Sequence, residues 1–273
     1  QTRREQAKYP PRNTEENEYF SLVGRSPAMR ETYRTLARLG PGEPWVWVWG
    51  APGSGRREVA RTIHLQSVPG RERIWILAGG ALKRADLDRI LAELERARGS
   101  IRIDVKPGGQ GGQLLAVPSR FTLVVADAAA MAPEVQAALL ERVIAEKGRC
   151  DGLRVVGTLV RSPEDAALGG RLVPALLERR FPAVRLPPLS ERMDDLPLLV
   201  KHFLVGSPKG RDAAGPRLGP DALEALRAHP FEGQVREVQE LCEKLRRLAN
   251  EGGLITLDAV RTVLTPTLKA NRR

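Results

Sequence analysis

A short apolar run that leads directly into a glycine-rich loop and a helix constrains this chain most. Trp45–Trp49 alternates tryptophan and valine and is typical of a strand. Gly50–Arg57 follows at once, with glycines at 50, 53 and 55, and residues 57–66 have a helical pattern. Such glycines let backbone N–H groups turn toward phosphate oxygens at the positive end of the helix. The sequence therefore predicts a phosphate-binding loop between a strand and a helix.

The loop has the spacing of the P-loop motif GxxxxGK[ST] but differs at the last two positions. Arg56 stands where the motif has the Lys that reaches the phosphates, and Arg57 where it has the hydroxyl that holds magnesium. Arginine keeps the charge, but its planar fork is bulkier than an ammonium group. We expect weak or structural binding of ATP or ADP here; the alternative is a glycine-rich turn that binds nothing. The candidate residues are Gly50, Ala51, Pro52, Gly53, Ser54, Gly55, Arg56 and Arg57.

Strand-like and helical patterns alternate up to about residue 186. Phe121–Ala126 is continuously apolar, as expected for a central parallel strand that is buried on both faces. Further strands are predicted at Ile74–Leu77, Leu153–Leu159 and Ala183–Leu186, and helices at Pro27–Leu39, Asp86–Arg98, Pro133–Gly148 and Val173–Arg180. We therefore expect an α/β fold, a P-loop αβα sandwich around a parallel sheet.

After Pro187-Pro188 the pattern becomes purely helical, which predicts a small all-helical subdomain without strands. Its predicted helices are Asp195–Val205, Pro220–Ala228, Gln234–Asn250 and Leu257–Leu264. The predicted organisation is a linker over 1–20, an αβα domain over 21–190, the helical subdomain over 191–265 and a tail over 266–273. Because the chain starts at Gln1, we expect it to be an excised fragment.

Composition narrows the class of protein. The formal net charge is +11, which invites a nucleic-acid reading, but the basic residues are scattered and often adjoin acidic ones. A solvated surface explains that arrangement better, so we do not expect direct DNA binding. Two cysteines exclude a disulfide scaffold and a CxxC metal site. No apolar run approaches the ~18 residues of a membrane helix. We expect a cytoplasmic protein that contacts no membrane.

Three kinds of residue are assigned to packing rather than chemistry. Cys242 shares a helical face with leucines and valines, which predicts a buried core thiol. The tryptophans of Trp45–Trp49 are expected in a core rather than stacked on bases. His64 is expected to pack on its helix, and Cys150 to lie in a loop, while the remaining histidines have no ligand-like neighbours.

Five blocks of the sequence, in the same order, resemble the AAA+ domain of bacterial enhancer-binding proteins, the ATPases that activate sigma-54 RNA polymerase. The blocks are Leu22–Met29, Gly50–His64, Glu134–Leu140, Leu186–Arg192 and Phe231–Val238. They span about residues 21–265. The resemblance implies an αβα nucleotide-binding domain followed by a helical lid.

The resemblance also implies that a catalytic carboxylate is missing. The family's Walker B sequence, LFLDE, has an Asp that orients magnesium and a Glu that polarises the attacking water. Matching outward from Glu134 places Ala126 at the Asp and Asp127 at the Glu. A shift of one residue instead places Asp127 at the Asp and Ala128 at the Glu. Alanine cannot hold the water shell of magnesium, so either match argues against bound Mg²⁺ and against a metal site.

Other family positions are also changed. The switch Asn of the family falls near Ala78, and its sensor I Asn near Leu159 or Val160. The sigma-contacting GAFTGA loop is absent, and the unrelated stretch Arg98–Ser119 takes its place.

Three arginines remain candidates for nucleotide contacts. Arg236 matches the sensor II arginine of the lid, and Arg179 or Arg180 lies where the family supplies an arginine finger to a neighbouring subunit. Ordinary surface charge is the alternative for the last two.

These changes predict a pseudo-ATPase that acts through binding, as a regulatory or protein-interaction module in transcription control or signalling. Its expected partners are proteins, either other AAA+ subunits in a homo-oligomer or the transcription machinery. One alternative is a slow but active sigma-54-dependent activator that uses Arg56 for phosphate and Asp127 for metal. The other is a nucleic-acid-binding module, which only the charge supports.

Overall fold

A computed structural model describes most of the chain. The described residues are 18–19, 22–40, 43–67, 74–98, 121–145, 153–205, 216–249 and 253–270. Most of the predicted linker, nearly all of Arg98–Ser119, and Cys150 lie outside these residues. Contacts divide the chain into two compact units. We call residues 38–49 and 59–185 the sheet unit, and residues 1–37, 50–58 and 186–273 the helical unit.

The sheet unit is built on five parallel strands, which confirms the predicted α/β fold. The strands are β1 (Trp45–Trp49), β2 (Ile74–Ala78), β3 (Phe121–Ala126), β4 (Leu153–Leu159) and β5 (Ala183–Arg185). Their order across the sheet is β2–β3–β4–β1–β5. The three inner strands are almost entirely buried, because helices cover both faces of such a sheet.

Tryptophans of β1 fill the core of the sheet unit, as predicted. Trp45 and Trp47 are fully buried, and Trp45 stacks on Phe181 with ring centroids 5.7 Å apart. Trp47 lies opposite Gly157 in the β1–β4 register. A Cβ atom at Gly157 would overlap the six-membered ring of Trp47, so only glycine fits there. His64 is also buried, and its Nδ1 lies 2.8 Å from the Oγ1 of Thr122.

The first helix in the described part of the chain, α1 (Pro27–Arg38), precedes β1. The helices that follow are α2 (Arg56–Ser67), α3 (Arg84–Arg98), α4 (Pro133–Ala145), α5 (Pro163–Leu168) and α6 (Pro174–Glu178). Helix α5 was not predicted, although Ser162 caps it by accepting a hydrogen bond from Asp165 N–H. Helix α6 is shorter than the predicted helix Val173–Arg180.

Among the described residues after position 186, the helical unit contains four α-helices, which follow a short 3₁₀-helical segment at Leu189–Asp195. They are α7 (Leu196–Val205), α8 (Pro220–Arg227), α9 (Gln234–Arg247) and α10 (Leu257–Ala270). The expectation of no strands was wrong, because Arg217–Leu218 pairs in parallel with Leu254–Ile255. Two-residue strands have no periodicity for a sequence to reveal. Helix α10 includes residues 266–270, the first five residues of the predicted tail.

The helices enclose their own core, centred on Phe231 and leucines of α7 and α9. Cys242 is part of this core, as predicted, and burial raises the pKa of its thiol to about 12. Across the described ranges, no helix is long and apolar enough to cross a membrane.

Candidate functional site

The predicted phosphate loop joins β1 to α2 in the expected order. Helix α2 begins at Arg56, one residue earlier than predicted. Gly53 and Gly55 have φ angles of +79° and +109°, in the left-handed region that favours glycine. A turn closes the loop, because Ser54 N–H donates to the carbonyl of Ala51 at 3.2 Å. The backbone thus has the glycine-dependent conformation of an anion-binding loop.

Two consecutive carbonyls of the loop have partners elsewhere in the helical unit. The Gly53 carbonyl accepts a hydrogen bond from Arg236 N–H at 3.0 Å. The Ser54 carbonyl accepts one from Nη2 of Arg192 at 2.8 Å. When N–H groups of a loop face an anion, its carbonyls face away and need other donors. Both donors here come from the part of the chain that follows residue 186.

Side chains of the loop also suit a phosphate group. Ser54 is 2% exposed, and its Oγ has no hydrogen-bond partner among the described residues. A buried hydroxyl without a partner is costly, and a phosphate oxygen would supply one. Arg56 is half-buried at the first position of α2, whereas Arg57 is exposed. The residues Gly50 to Arg57 therefore fit the phosphates of a nucleotide.

A turn before α9 packs against Gly53. The Gly233 carbonyl lies so close that a Cβ atom at Gly53 would overlap it. Glu237 stabilises this turn, because its Oε2 accepts a hydrogen bond from Gly233 N–H at 2.8 Å and its Oε1 lies 2.7 Å from Nε2 of His229. Gln234 has a φ angle of +60° and accepts a hydrogen bond from Leu189 N–H at 2.6 Å. Side chains thus hold a strained backbone in place.

Arg236 contacts the phosphate loop through its backbone. Its side chain is 74% exposed and lies 3.7 Å from Glu240, one turn further along α9. The role of its side chain as sensor II stays a prediction.

A buried arginine and a buried aspartate lie beside the loop, and sequence reasoning missed both. Arg192 is 3% exposed, and Asp195 is fully buried. Asp195 accepts hydrogen bonds from Arg25 N–H, Ser26 N–H and the Ser26 hydroxyl, at 2.6 to 2.8 Å. Burial lowers the pKa of Arg192, and the charge of Asp195 opposes that shift. Both residues lie in or next to the Leu186–Arg192 block, but no periodic pattern marks either.

In the sheet unit, hydrocarbon occupies the carboxyl ends of three neighbouring strands. Ala78 ends β2 and lies opposite Ala126, which ends β3, and Leu159 ends β4. The resemblance matches these positions to the switch Asn, the Walker B Asp and the sensor I Asn, and a shift of one residue would match Asp127 to the Walker B Asp instead. None of these three side chains can bind a metal ion or orient water.

Asp127 follows Ala126 and has a left-handed backbone, with a φ angle of +55°. Its N–H donates to Oγ1 of Thr158 at 3.1 Å, and its side chain is exposed. A Cβ atom at Gly79 would overlap the Asp127 carbonyl, so the two strand-end loops approach closely. Thr158 was missed by sequence reasoning. Its position was treated as part of an apolar strand.

The donor set does not fit magnesium. Arg57 occupies the hydroxyl position, and Asp127 is the one carboxylate that either Walker B match supplies. Within the described part of the chain, no group of three or more His, Cys, Asp or Glu side chains could hold a metal ion. Magnesium in proteins is bound by carboxylates together with water and phosphate oxygens.

The two candidate finger arginines follow α6 and are exposed. Arg180 has a φ angle of +47°, and its N–H donates to the Leu177 carbonyl. Gln136, a buried residue of α4, holds the segment before α6. From the sequence it was recognised only as part of the Glu134–Leu140 block. Its amide donates to the Met131 and Arg171 carbonyls and accepts from Val173 N–H, at 2.9 to 3.0 Å.

Comparisons with known proteins agree with this arrangement. The AAA+ ATPase lid domain family matches residues 190–272. The chain is similar to NtrX of Brucella abortus, crystallised in complex with ATP, with a TM-score of 0.63 and 23% identity over 94% of this chain and 59% of that one. The fold and the lid match define an AAA+ module of the P-loop class.

Proteins with similar sequences narrow the class of protein that this chain resembles. A DNA-binding transcriptional regulator NtrC of Azospirillum brasilense is 32% identical over 94% of this chain and 54% of its own length. UacR of Escherichia coli, described as a putative uric acid sigma-54-dependent transcriptional regulator, is 29% identical over 92% of this chain and 42% of its own length. The chain is thus similar to part of each of these transcriptional regulators. It spans about half the length of these relatives.

Proposed function

We propose that this chain is a degenerate AAA+ module that binds nucleotide without hydrolysing it and acts as a regulatory, protein-binding domain in transcription control or signalling. The observation that carries the proposal is the hydrocarbon at the strand ends, Ala78, Ala126 and Leu159. Hydrolysis needs positioning, charge neutralisation and water activation together. Loss of one stabilising group costs about 3 kcal/mol of barrier, so several losses together leave little turnover.

Nucleotide binding is the retained part of the activity in this proposal. The phosphates of ATP or ADP are held by backbone N–H groups of the loop, by Ser54 and by Arg56. The cationic side chains replace the charge that magnesium would otherwise supply. The complex of Brucella abortus NtrX with ATP supports a nucleotide in this class of module.

The binding test is calorimetric titration of ATP and ADP onto the purified chain, with magnesium and with excess EDTA. We expect both nucleotides to bind, with dissociation constants that EDTA changes by less than about twofold, because the donor set does not fit the metal. No heat of binding with either nucleotide would contradict the nucleotide part of the proposal. Tight binding that requires magnesium would contradict the metal-independent part.

The turnover test is phosphate release from ATP with magnesium, in the wild type and in Asp127→Ala. We expect both proteins to match the background rate. Magnesium-dependent hydrolysis at ordinary AAA+ rates, lost in Asp127→Ala, would overturn the pseudo-ATPase proposal. It would favour the alternative of a slow activator that uses Asp127 for metal.

The partners of such a module are proteins: other AAA+ subunits, as a homo-oligomer, or components of the transcription machinery in the cytoplasm. The missing GAFTGA loop means that a sigma-54 contact of the usual kind is not part of the proposal. Light scattering with and without ADP measures self-association. A protein that stays monomeric in both conditions would limit the partners to other proteins.

A further inference from the structure

Arg192 is a buried cation that feels the charge of the buried Asp195 but has few hydrogen-bond acceptors. Its Nη2 donates to the Ser54 carbonyl, and its Nη1 lies 3.0 Å from the Sδ of Met29, which is a weak acceptor. Its Nε has no partner among the described residues. A guanidinium carries five N–H donors, and a buried charge with this few acceptors contributes little to stability. A role beyond packing is therefore favoured.

The backbone that carries Arg192 is fixed at both ends. Leu189 N–H is bound by the Gln234 side chain, and Asp195 is bound to the backbone at Arg25 and Ser26. Arg192 itself interrupts the helical segment, with φ −138° and ψ 37°. The side chain thus projects from a rigid platform, which is the requirement for a group that positions another.

The contact falls on the part of the loop that matters for anion binding. Gly53 and Ser54 have their carbonyls bound by Arg236 N–H and by Arg192, respectively. Holding two successive carbonyls fixes the conformation of the loop backbone around Gly53 and Ser54. The charge of the guanidinium also favours an anion in the loop.

We propose that Arg192 is a positioning residue for the phosphate loop: by holding the Ser54 carbonyl, it preorganises the loop for phosphate before nucleotide arrives. The functional part of this inference, phosphate binding, rests on the proposed function. The structural part, that Arg192 orders the loop in the nucleotide-free protein, does not depend on nucleotide binding.

The test is hydrogen–deuterium exchange of the nucleotide-free protein, followed by mass spectrometry, in the wild type, Arg192→Met and Arg192→Lys. Methionine has a similar length and no donor, so amides of residues 50–58 should exchange about tenfold faster, while those of α7 and α9 keep their wild-type rates. Lysine keeps the charge and one donor group, so the exchange rates of residues 50–58 in Arg192→Lys should lie between those of wild type and Arg192→Met.

Arg154→Met is the matched control. Arg154 is also a buried arginine that donates to backbone carbonyls, those of Gly40, Glu43 and Ile63 in the sheet unit. Its replacement should speed exchange near those residues and leave residues 50–58 unchanged. Unchanged exchange at 50–58 in Arg192→Met would overturn the inference. Equally faster amide exchange in residues 50–58, α7 and α9 of Arg192→Met would also overturn it, because Arg192 would then only stabilise the fold. If Arg192→Met does not fold, Arg192→Lys is used for the same comparison.

A second arm measures ADP affinity by calorimetry. We expect a loss of about tenfold in Arg192→Met and a smaller loss in Arg192→Lys, since preorganisation lowers the cost of binding. If wild type binds neither ATP nor ADP, the proposed function fails while the exchange experiment still decides the role of Arg192. If wild type binds and Arg192→Met binds equally well, the inference alone fails.

Discussion

The helical unit and the sheet unit differ in the groups found at the positions that the resemblance assigns to nucleotide binding and hydrolysis. In the helical unit, polar contacts converge on the phosphate loop, where Gly53 and Ser54 are both hydrogen-bonded to residues after position 186. In the sheet unit, the strands β2, β3 and β4 end in Ala78, Ala126 and Leu159. Under the proposed function, one unit keeps the partners of the loop backbone, and the other has lost the side chains that hydrolysis needs.

If the proposed function holds, the difference teaches that binding and turnover depend on different parts of the chain. A phosphate site built on backbone N–H groups survives side-chain substitution, because glycines and carbonyl partners define it. Turnover depends on a few carboxylates and amides, and each can be replaced by a hydrocarbon side chain without loss of the fold. Four variants can break or sharpen this comparison.

Gly53→Ala should have the largest effect. The φ angle of +79° disfavours a side chain, and the new Cβ atom would overlap the Gly233 carbonyl, so the loop must shift. We expect ADP affinity to fall by at least about a hundredfold in calorimetry. Gly170→Ala is the control, because Gly170 has a φ angle of +67° but no atom within 4 Å of its Cβ position. Equal affinity in Gly53→Ala and wild type would break the comparison.

Gln136→Ala should destabilise the protein without touching nucleotide binding. It leaves two carbonyls and one N–H of the sheet unit without their side-chain partner, which costs about 2 kcal/mol in the free energy of unfolding. Urea denaturation measures that loss. The exposed Gln239, bound only to Glu243 at 3.4 Å, provides the control variant Gln239→Ala, with an expected change under about 0.5 kcal/mol. A tenfold loss of ADP affinity in Gln136→Ala would give the sheet unit a part in binding.

Arg236→Gln tests the sensor II prediction. Its exposed side chain is paired only with Glu240 on the same helix, so the fold should tolerate the change. If the side chain reaches the terminal phosphate of a bound nucleotide, ATP affinity should fall about tenfold and ADP affinity less. Arg247→Gln, near the other end of α9, is the control. Unchanged affinities for both ATP and ADP would contradict the sensor II prediction and leave Arg236 with the loop backbone contact alone.

Cys242→Ala should show the smallest effect of the four variants, and its effect on stability should become smaller still in alkali. The raised pKa of about 12 means that the folded protein keeps the thiol proton where the unfolded chain loses it. The unfolded state therefore gains stability from about pH 9 upward, at about 1 kcal/mol per pH unit, and wild type loses stability in that range. The difference in unfolding free energy between wild type and variant, measured at pH 8 and pH 10.5, should shrink as pH rises. A constant difference would contradict a raised pKa.

Local patterns were enough to predict the main elements. An apolar run gave Phe121–Ala126, and Leu153–Leu159 was predicted as another buried strand, both with the bounds observed, because buried strands leave a distinct signal. The loop between β1 and α2 followed from its glycines. Short elements such as α5 and the paired strands of the helical unit were missed, since six residues or fewer carry too little periodicity.

The contacts around the loop could not be read from the sequence in the same way. Arg192 and Ser54 are 138 residues apart in the chain, and Asp195 lies 169 residues from Ser26. A charged residue in a helical segment is normally solvated, and only the fold shows that these two are buried. Thr158 likewise looked like one more member of an apolar strand. Only the structure shows that its hydroxyl accepts a hydrogen bond from Asp127 N–H, where the backbone is left-handed.

The placement of the tryptophans has a practical consequence. All four lie in the sheet unit, and the helical unit contains none. Indole fluorescence during denaturation therefore follows one unit alone. In a Cys150→Ser background, alkylation of the buried Cys242 follows the other. Coincident transitions from the two reporters would mean that the chain unfolds as one cooperative body, and separated transitions would give each unit a stability of its own.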